Sequence, residues 1–205
     1  MGTFFGFLFL TLLVSSQAFG LEATLGIGEF YSQVKVEDLA NGTSSEYAGL
    51  GYLGELRIRL GSGGGPGTGT SSFVAKPDIF LYGAYFSQPN STSVGSLRKS
   101  SVSGAGIDFR FEYLFLGGQA QTNASSIDTT TGTTTNSYTS FGVRAGLNFP
   151  FGVGSPFVVQ VGFVQNLGRG TSASLSTGAS INTETGVFLM IQSRLFQTNA
   201  GAGGR

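Results

Sequence analysis

The sequence predicts an all-β fold, specifically an antiparallel transmembrane β-barrel of about eight strands. Apolar and polar residues alternate with a period of two over many segments, and clusters of Gly, Ser, Thr and Asn separate these segments. Charged residues make up only 11% of the 205-residue chain, whereas about a quarter is usual for soluble proteins. A surface this poor in charge indicates contact with something other than water.

The first twenty residues are predicted to be a secretory signal peptide. An apolar stretch from Phe4 to Val14 precedes the small-residue cleavage pattern Ala18-x-Gly20. As a helix this stretch would rise only about 16 Å, roughly half of the hydrocarbon thickness, which argues against a retained transmembrane helix. Residues 21–196 are then the barrel domain, and residues 197–205 a short flexible C-terminal tail.

Two segments alternate most regularly. In residues 48–60 (AGLGYLGELRIRL), one face carries the apolar series and the other carries Glu55, Arg57 and Arg59. In residues 104–115 (GAGIDFRFEYLF), the polar face carries Asp108, Arg110 and Glu112. Both segments are predicted to be strands with one apolar and one polar face.

The remaining strands are predicted from weaker versions of the same pattern. They are residues 21–36, 79–86, 116–123, 140–149, 157–163 and 184–195. The first is expected to change phase near Phe30, and residues 79–86 are apolar on both faces. The registers of these two strands stay open.

The connections between strands alternate in length. Polar stretches at residues 37–46, 87–101, 124–136 and 166–182 are long, while those at 114–117 and 150–156 are short. Long extracellular loops and short periplasmic turns are typical of outer-membrane barrels. The glycine-rich stretch 61–72 departs from this habit, because it would be a periplasmic turn of unusual length.

The charged residues of the polar faces are predicted to form an ion-pair network in the lumen. An eight-stranded barrel is just wide enough to be filled by side chains, so charges inside must neutralise one another. An arginine facing lipid at the bilayer midplane would instead cost about 2–4 kcal/mol. The predicted network comprises Glu55, Arg57, Arg59, Asp108, Arg110, Glu112, Arg144, Glu184 and Arg194.

Aromatic residues near the strand ends are predicted to form girdles at the two membrane interfaces. The candidates are Tyr47, Tyr85, Phe86, Tyr113, Phe115, Tyr138, Phe149, Phe151 and Phe157. Aromatic residues are also ordinary strand formers, and the chain has no Trp. The aromatic residues therefore support the membrane interpretation only in combination with the alternating pattern.

Several kinds of chemistry are unsupported by this composition. The chain has no His and no Cys, which removes His-activated nucleophiles, thiolate metal sites, disulfides and a lipid anchor. Residues 61–69 lack the Lys-Ser/Thr ending of a phosphate-binding loop. Asp108 and Glu112 could be an acid–base pair, but an internal ion pair is the stronger interpretation. A net charge of zero predicts no nucleic-acid binding. We therefore expect no catalytic residues, no metal site and no cofactor.

These features together resemble the small outer-membrane β-barrel superfamily, typified by the transmembrane domain of OmpA and by OmpX. The resemblance covers residues 21–196 and includes the closing strand GVFLMIQSRLF, which ends at the aromatic Phe196. It implies residence in the bacterial outer membrane, with outer-membrane lipid and the barrel-assembly machinery as partners. The chain departs from the family because residues 197–205 follow Phe196, and Phe196 is out of phase with the lipid-facing residues.

The function expected from the sequence is a structural or surface-interaction role without catalysis, exerted on an extracellular partner through the loops. Two alternatives stay open: a narrow pore for small solutes, and a soluble exported β-sandwich that binds a ligand. The sandwich would turn its apolar face inward and its polar face to water, which is the inverse of the barrel.

Overall fold

The computed structural model describes residues 21–39, 42–60, 76–91, 96–111, 113–130, 132–152, 155–172 and 179–197. The predicted signal peptide, the stretch 61–72, Glu112 and the tail beyond Gln197 lie outside these residues. All sheet residues belong to one closed antiparallel barrel in which each strand pairs with its neighbours in sequence and the last pairs with the first. The strands are β1 (Leu21–Asp38), β2 (Thr43–Leu60), β3 (Lys76–Pro89), β4 (Leu97–Phe111), β5 (Leu114–Thr129), β6 (Gly132–Pro150), β7 (Phe157–Ser172) and β8 (Ala179–Gln197).

This architecture confirms the predicted all-β barrel of eight strands and rules out the sandwich alternative, because the sheet closes on itself. Among the described residues, no helix is long and apolar enough to cross a membrane.

The prediction of four long loops was wrong. Most of the polar stretches continue the strands: β1 runs to Asp38 and β2 begins at Thr43, and β5 and β6 pair up to Thr129 and Gly132. Ser and Thr on these segments pair across the hairpins as regularly as apolar residues do. A search for apolar alternation misses them because both faces above the membrane are polar.

The first strand keeps one phase where a change near Phe30 was predicted. Phe30, Ser32 and Val34 are all buried in the interior, while Ile27 and Tyr31 are exposed on the outside. Phe30 and Val34 are apolar residues on the inner face. Their presence there made the alternating pattern look as if it changed phase. The third strand likewise turns Phe80, Tyr82 and Phe86 inward and Ile79, Leu81 and Tyr85 outward.

The predicted strand 104–115 is split by a turn. Strand β4 ends at Phe111 and β5 begins at Leu114, so the connection precedes the predicted one at residues 114–117. The backbone N–H of Asn148 donates to the carbonyl of Tyr113 at 2.7 Å, which anchors this turn to β6. This turn was missed because it contains no Gly or Pro and because the apolar Leu114 and Phe115 continue the alternating pattern.

A register shift at the seam between β1 and β8 corrects the expected phase of Phe196. Arg194 lies opposite Thr24 and Phe196 opposite Ala23, which leaves Leu195 as an extra residue. Directly opposed residues share a face, and Ala23, although its small side chain is covered, has the strand parity of the exposed Leu25 and Ile27. The β-bulge therefore returns Phe196 to the outer, lipid-facing side.

The predicted aromatic girdle is only partly right. Tyr85, Tyr113, Phe149, Phe151 and Phe157 are exposed on the outer surface. Tyr47, Phe86, Phe115 and Tyr138 are buried inside the barrel instead. Position near a strand end does not decide the face of a residue, because the face follows from its parity along the strand.

Candidate functional site

The middle of the lumen contains a central ion cluster formed by Glu55, Arg57, Asp108 and Arg144. Arg57 approaches Glu55 at 2.6 Å and Asp108 at 2.8 Å. Arg144 approaches the same two acids, at 2.8 Å and 3.3 Å. Each of the two carboxylates thus lies between two guanidinium groups, and all four side chains are almost fully buried.

Strand register explains this arrangement. Asp78 on β3 lies directly opposite Asp108 on β4, a pairing of like charges that is unfavourable by itself. Arg57 reaches both, at 3.2 Å from Asp78 and 2.8 Å from Asp108. One buried guanidinium therefore compensates two facing carboxylates.

A second ion cluster fills the end of the lumen where the chain enters β1. Asp78 binds Arg59 at 2.8 Å and Arg110 at 3.2 Å, and Glu22 binds Arg59 at 3.1 Å and Arg194 at 3.4 Å. Register places Glu22, Arg59 and Asp78 side by side on β1, β2 and β3. The two clusters are continuous because Arg57 contacts Asp78 as well.

Aromatic rings surround Arg144 beside the central ion cluster. The guanidinium carbon of Arg144 lies 4.0 Å from the ring centroid of Phe80, 5.0 Å from that of Phe188 and 5.4 Å from that of Phe115. These are distances at which a cation is attracted to the face of a ring. Phe80 and Phe115 are fully buried, so water does not reach these two rings of the aromatic layer.

In the half of the lumen towards the ends of the hairpins, the buried charges are paired with uncharged hydrogen-bond partners. Glu184 accepts from Ser32 at 2.8 Å, Gln121 at 2.7 Å and Asn166 at 3.1 Å. The prediction had set Glu184 against arginines, but its recorded partners are hydroxyl and amide groups. The buried carboxylate is thus satisfied by three donors on three different strands.

Arg98 occupies the same half and was not predicted. Its guanidinium donates to Gln88, to Ser100 at 3.2 Å, to Asn123 at 3.3 Å and to Tyr138 at 3.2 Å. These acceptors are uncharged, and they come from β3, β4, β5 and β6. Arg98 therefore joins four neighbouring strands near their outer ends.

The structure brings together most of the predicted network. The predicted residues Glu55, Arg57, Arg59, Asp108, Arg110, Arg144, Glu184 and Arg194 all face the lumen, and Glu112 lies outside the described residues. Among the described residues, three charged residues of the lumen were missed: Glu22, Asp78 and Arg98. Glu22 and Asp78 lie on the first and third strands, whose registers the sequence left open. Arg98 lies in residues 87–101, which were predicted to be a loop.

Two exposed ion pairs lie towards the outer ends of the hairpins. Lys99 binds Asp128 at 3.0 Å, and the Thr133 hydroxyl donates to Asp128 at 2.9 Å. The hydrogen bonds from Lys99 and Thr133 lower the pKa of Asp128 below its usual value, and the bond to Asp128 raises the pKa of Lys99. On β1, Lys35 and Glu37 pair at 2.6 Å.

Charged and amide side chains fill the inside of the barrel, whereas Leu, Ile, Val and Phe cover the outside. In lipid every backbone polar group must be paired within the protein, and a closed barrel achieves this. The class of protein defined by this fold and interior is the transmembrane β-barrel of the bacterial outer membrane. Among the described residues, no group of His, Cys, Asp or Glu is arranged to hold a metal ion.

Comparison with known proteins finds solved structures of low sequence identity to this chain. Ail, the attachment invasion locus protein of Yersinia pestis, is 18% identical over 82% of this chain and 97% of its own, with a TM-score of 0.39. Neisserial surface protein A is 12% identical, with coverages of 80% and 96% and a TM-score of 0.44. The outer membrane protein AlkL is 11% identical, with coverages of 90% and 93% and a TM-score of 0.46. No protein-family model and no curated protein sequence matches the chain.

Proposed function

We propose that this protein is a non-conducting outer-membrane barrel that serves as a rigid platform for surface interactions. The observation that carries the proposal is the position of Arg144 against the rings of Phe80, Phe115 and Phe188 inside the barrel. A barrel of eight strands has little interior space beyond what its own side chains occupy. The ion clusters and the aromatic layer therefore stabilise the barrel and block the passage of solutes.

The part of the protein available to a partner is the set of hairpins above the membrane. Their strands remain paired as far as Asp38 and Thr43, Leu97 and Asp128, and Thr129 and Gly132. The buried hydrogen bonds of Arg98 fix the positions of four of these strands. A paired hairpin loses less conformational entropy on binding than a long loop does, which favours recognition by a preorganised surface. Outer-membrane lipid and the barrel-assembly machinery are the further partners of such a barrel.

Conductance in planar bilayers tests the closed lumen. We expect the wild-type protein to give no conductance steps. A variant that carries Arg144→Ala, Phe80→Ala and Phe188→Ala removes most of the closing layer and should give small steps. Folding of both proteins is checked by the mobility difference between boiled and unboiled samples on a detergent gel. Stepwise conductance by the folded wild type would contradict the proposal and establish the pore alternative.

Orientation is tested by labelling, because the chain has no Cys. Thr133→Cys places a single thiol on an exposed hairpin residue, and an impermeant maleimide should label it on intact cells. Tyr113→Cys places the thiol in the turn at the opposite end and should react only after the outer membrane is permeabilised. The reverse pattern would refute the assignment of the hairpins to the cell surface.

A further inference from the structure

Two grooves on the outer wall of the barrel meet at Tyr85. The lower groove has a volume of about 620 Å³ and is lined by Ile27, Glu29, Tyr52, Gly54, Gly83 and Tyr85. The upper groove has a volume of about 630 Å³, and its lining includes Tyr85, Lys99, Ser101, Ala124, Ser126 and Ser137. The first lies within the apolar outer surface and the second lies among hydroxyl groups above it.

The lower groove has a glycine floor that the barrel itself does not require. Gly54 and Gly83 are directly opposed on β2 and β3. A Cβ atom added at Gly54 would meet nothing within 4 Å, and one added at Gly83 would come no closer than 3.7 Å to a neighbouring atom. In contrast, an added Cβ at Gly106 inside the barrel would collide with the Phe80 ring and with a backbone carbonyl. Interior packing therefore explains why residue 106 is a glycine. It does not explain the glycines at positions 54 and 83 on the outer surface.

Strand register links the two grooves. Glu29, Tyr52, Tyr85, Ser101, Ala124 and Ser137 are successive cross-strand partners on β1 to β6 and form one outward row. Barrel strands tilt by roughly 40° and lie about 4.8 Å apart, so a row perpendicular to them rises about 3 Å per strand. The row therefore climbs from the apolar surface at β1 to the polar surface at β6.

The outer surface along this row changes from mostly apolar to polar at Tyr85. An amphiphilic ligand needs both kinds of surface. Below Tyr85 the surface is apolar apart from Glu29, with Ile27 69% and Tyr52 74% exposed. Above Tyr85 the groove offers Ser hydroxyls and the ammonium group of Lys99. Lys99 pairs with Asp128 at the surface, and such surface ion pairs contribute little free energy. Glu29 lies at the far end of the row, so the charges direct an anionic group towards Lys99.

From this juxtaposition we propose that the outer wall binds one molecule of a phosphorylated glycolipid of the outer leaflet. An acyl chain lies in the lower groove over Gly54 and Gly83. The sugar headgroup lies in the upper groove, with its hydroxyls near Ser101 and Ser137 and a phosphate at Lys99. This proposal rests on the membrane orientation given above, which the labelling experiment tests separately.

Native mass spectrometry of the detergent-solubilised full chain tests this proposal, with lipid A as the phosphorylated glycolipid probe and phosphatidylcholine as the probe without net charge. Gly54→Leu and Gly83→Leu fill the lower groove and should reduce the bound fraction of lipid A. The matched control is Gly118→Leu, because Gly118 is exposed on β5 and an added Cβ there comes no closer than 3.8 Å to another atom. This control should bind as the wild type does.

Lys99→Gln tests the headgroup contact without changing the groove. Charge-assisted hydrogen bonds are strong, and we expect a roughly tenfold loss of lipid A affinity, which corresponds to about 1.4 kcal/mol. Binding of phosphatidylcholine should stay unchanged. Lys35→Gln, on β1 outside both grooves, is the charge control. Equal lipid A binding by the glycine variants and Gly118→Leu, or by Lys99→Gln and Lys35→Gln, would overturn the proposal. If a glycine variant fails the heat-shift check, the lysine pair still decides.

Discussion

Arg144 contacts Glu55 at 2.8 Å while its guanidinium lies 4.0 Å from the ring centroid of Phe80. One side chain thus joins the central ion cluster to the aromatic layer beside it. Burial of an ion pair is favourable only when both charges keep their partners. The stability of the barrel therefore depends on Arg144, and so does the closed lumen that we propose.

Replacement of this residue should be costly. In Arg144→Ala, Glu55 and Asp108 each lose one of two guanidinium partners inside the barrel, and we expect the free energy of unfolding to fall by about 3–5 kcal/mol. The measurement is the urea midpoint of the barrel in vesicles, followed by the heat-shift gel. Arg169→Ala, at an exposed position on β7, is the control and should change stability by no more than about 0.5 kcal/mol. Similar midpoints for the two variants would contradict the structural role of Arg144.

Gly106 should be intolerant of even the smallest side chain. A Cβ at this position meets the Phe80 ring and the carbonyl oxygen of Gly118, and a backbone atom of the adjacent strand cannot move away cheaply. We expect Gly106→Ala to destabilise the barrel by about 1–3 kcal/mol, as overpacked sites do. Gly118→Ala should be neutral, because its Cβ has 3.8 Å of space. The same urea titration measures the stability of both variants. An unchanged midpoint for Gly106→Ala would show that the barrel wall adjusts to the added Cβ atom.

Deletion of Leu195 should leave the barrel closed. Leu195 is the extra residue between the pairs Arg194–Thr24 and Phe196–Ala23, so its removal joins these two pairs directly and keeps Arg194 beside Glu22. We expect the heat-modifiable fraction in isolated outer membranes to stay close to that of the wild type. Deletion of Ile191, where the register is continuous, should lower this fraction strongly, because Gln192 then turns away from Glu55. Equal assembly of the two deletion variants would contradict the register at this seam.

The carboxyl group of Asp128 should titrate below the usual range for aspartate. Hydrogen bonds from Lys99 and Thr133 favour its ionised form, so its small contribution to stability is present at neutral pH and lost as the pH falls through the lowered pKa. Carbon NMR of the side-chain carboxyl in detergent micelles measures this pKa. Lys99→Gln should raise it towards the ordinary value, while Lys35→Gln should leave it unchanged. An identical titration in both variants would exclude the contact with Lys99.

Local patterns predicted much of the wall and part of the interior. Residues 48–60 and 140–149 alternate between an apolar and a polar face, and the pleat of a strand translates this alternation directly into outside and inside. The inward positions of Glu55, Arg57 and Arg144 could therefore be predicted from parity alone. Burial of five arginines in lipid would have been too costly, so these residues had to face inward in a membrane barrel.

The odd or even position of a residue along a strand does not predict which way it faces where both faces of the strand are equally apolar or equally polar. On β3 both faces are apolar, and Asp78 was missed; in the polar hairpins both faces are polar, and Arg98 was assigned to a loop. The turn after Phe111 and the bulge at Leu195 also have no local signature.

The sequence by itself determined the fold class, the separation of an apolar outside from a charged inside, and most members of the lumen network, because these follow from the two-residue repeat of an extended chain. Only the tertiary structure decided which charges pair, how far the hairpins extend, and where Phe196 points. Those features depend on the register between strands and on closure of the barrel, and register is set by contacts between residues far apart in the chain.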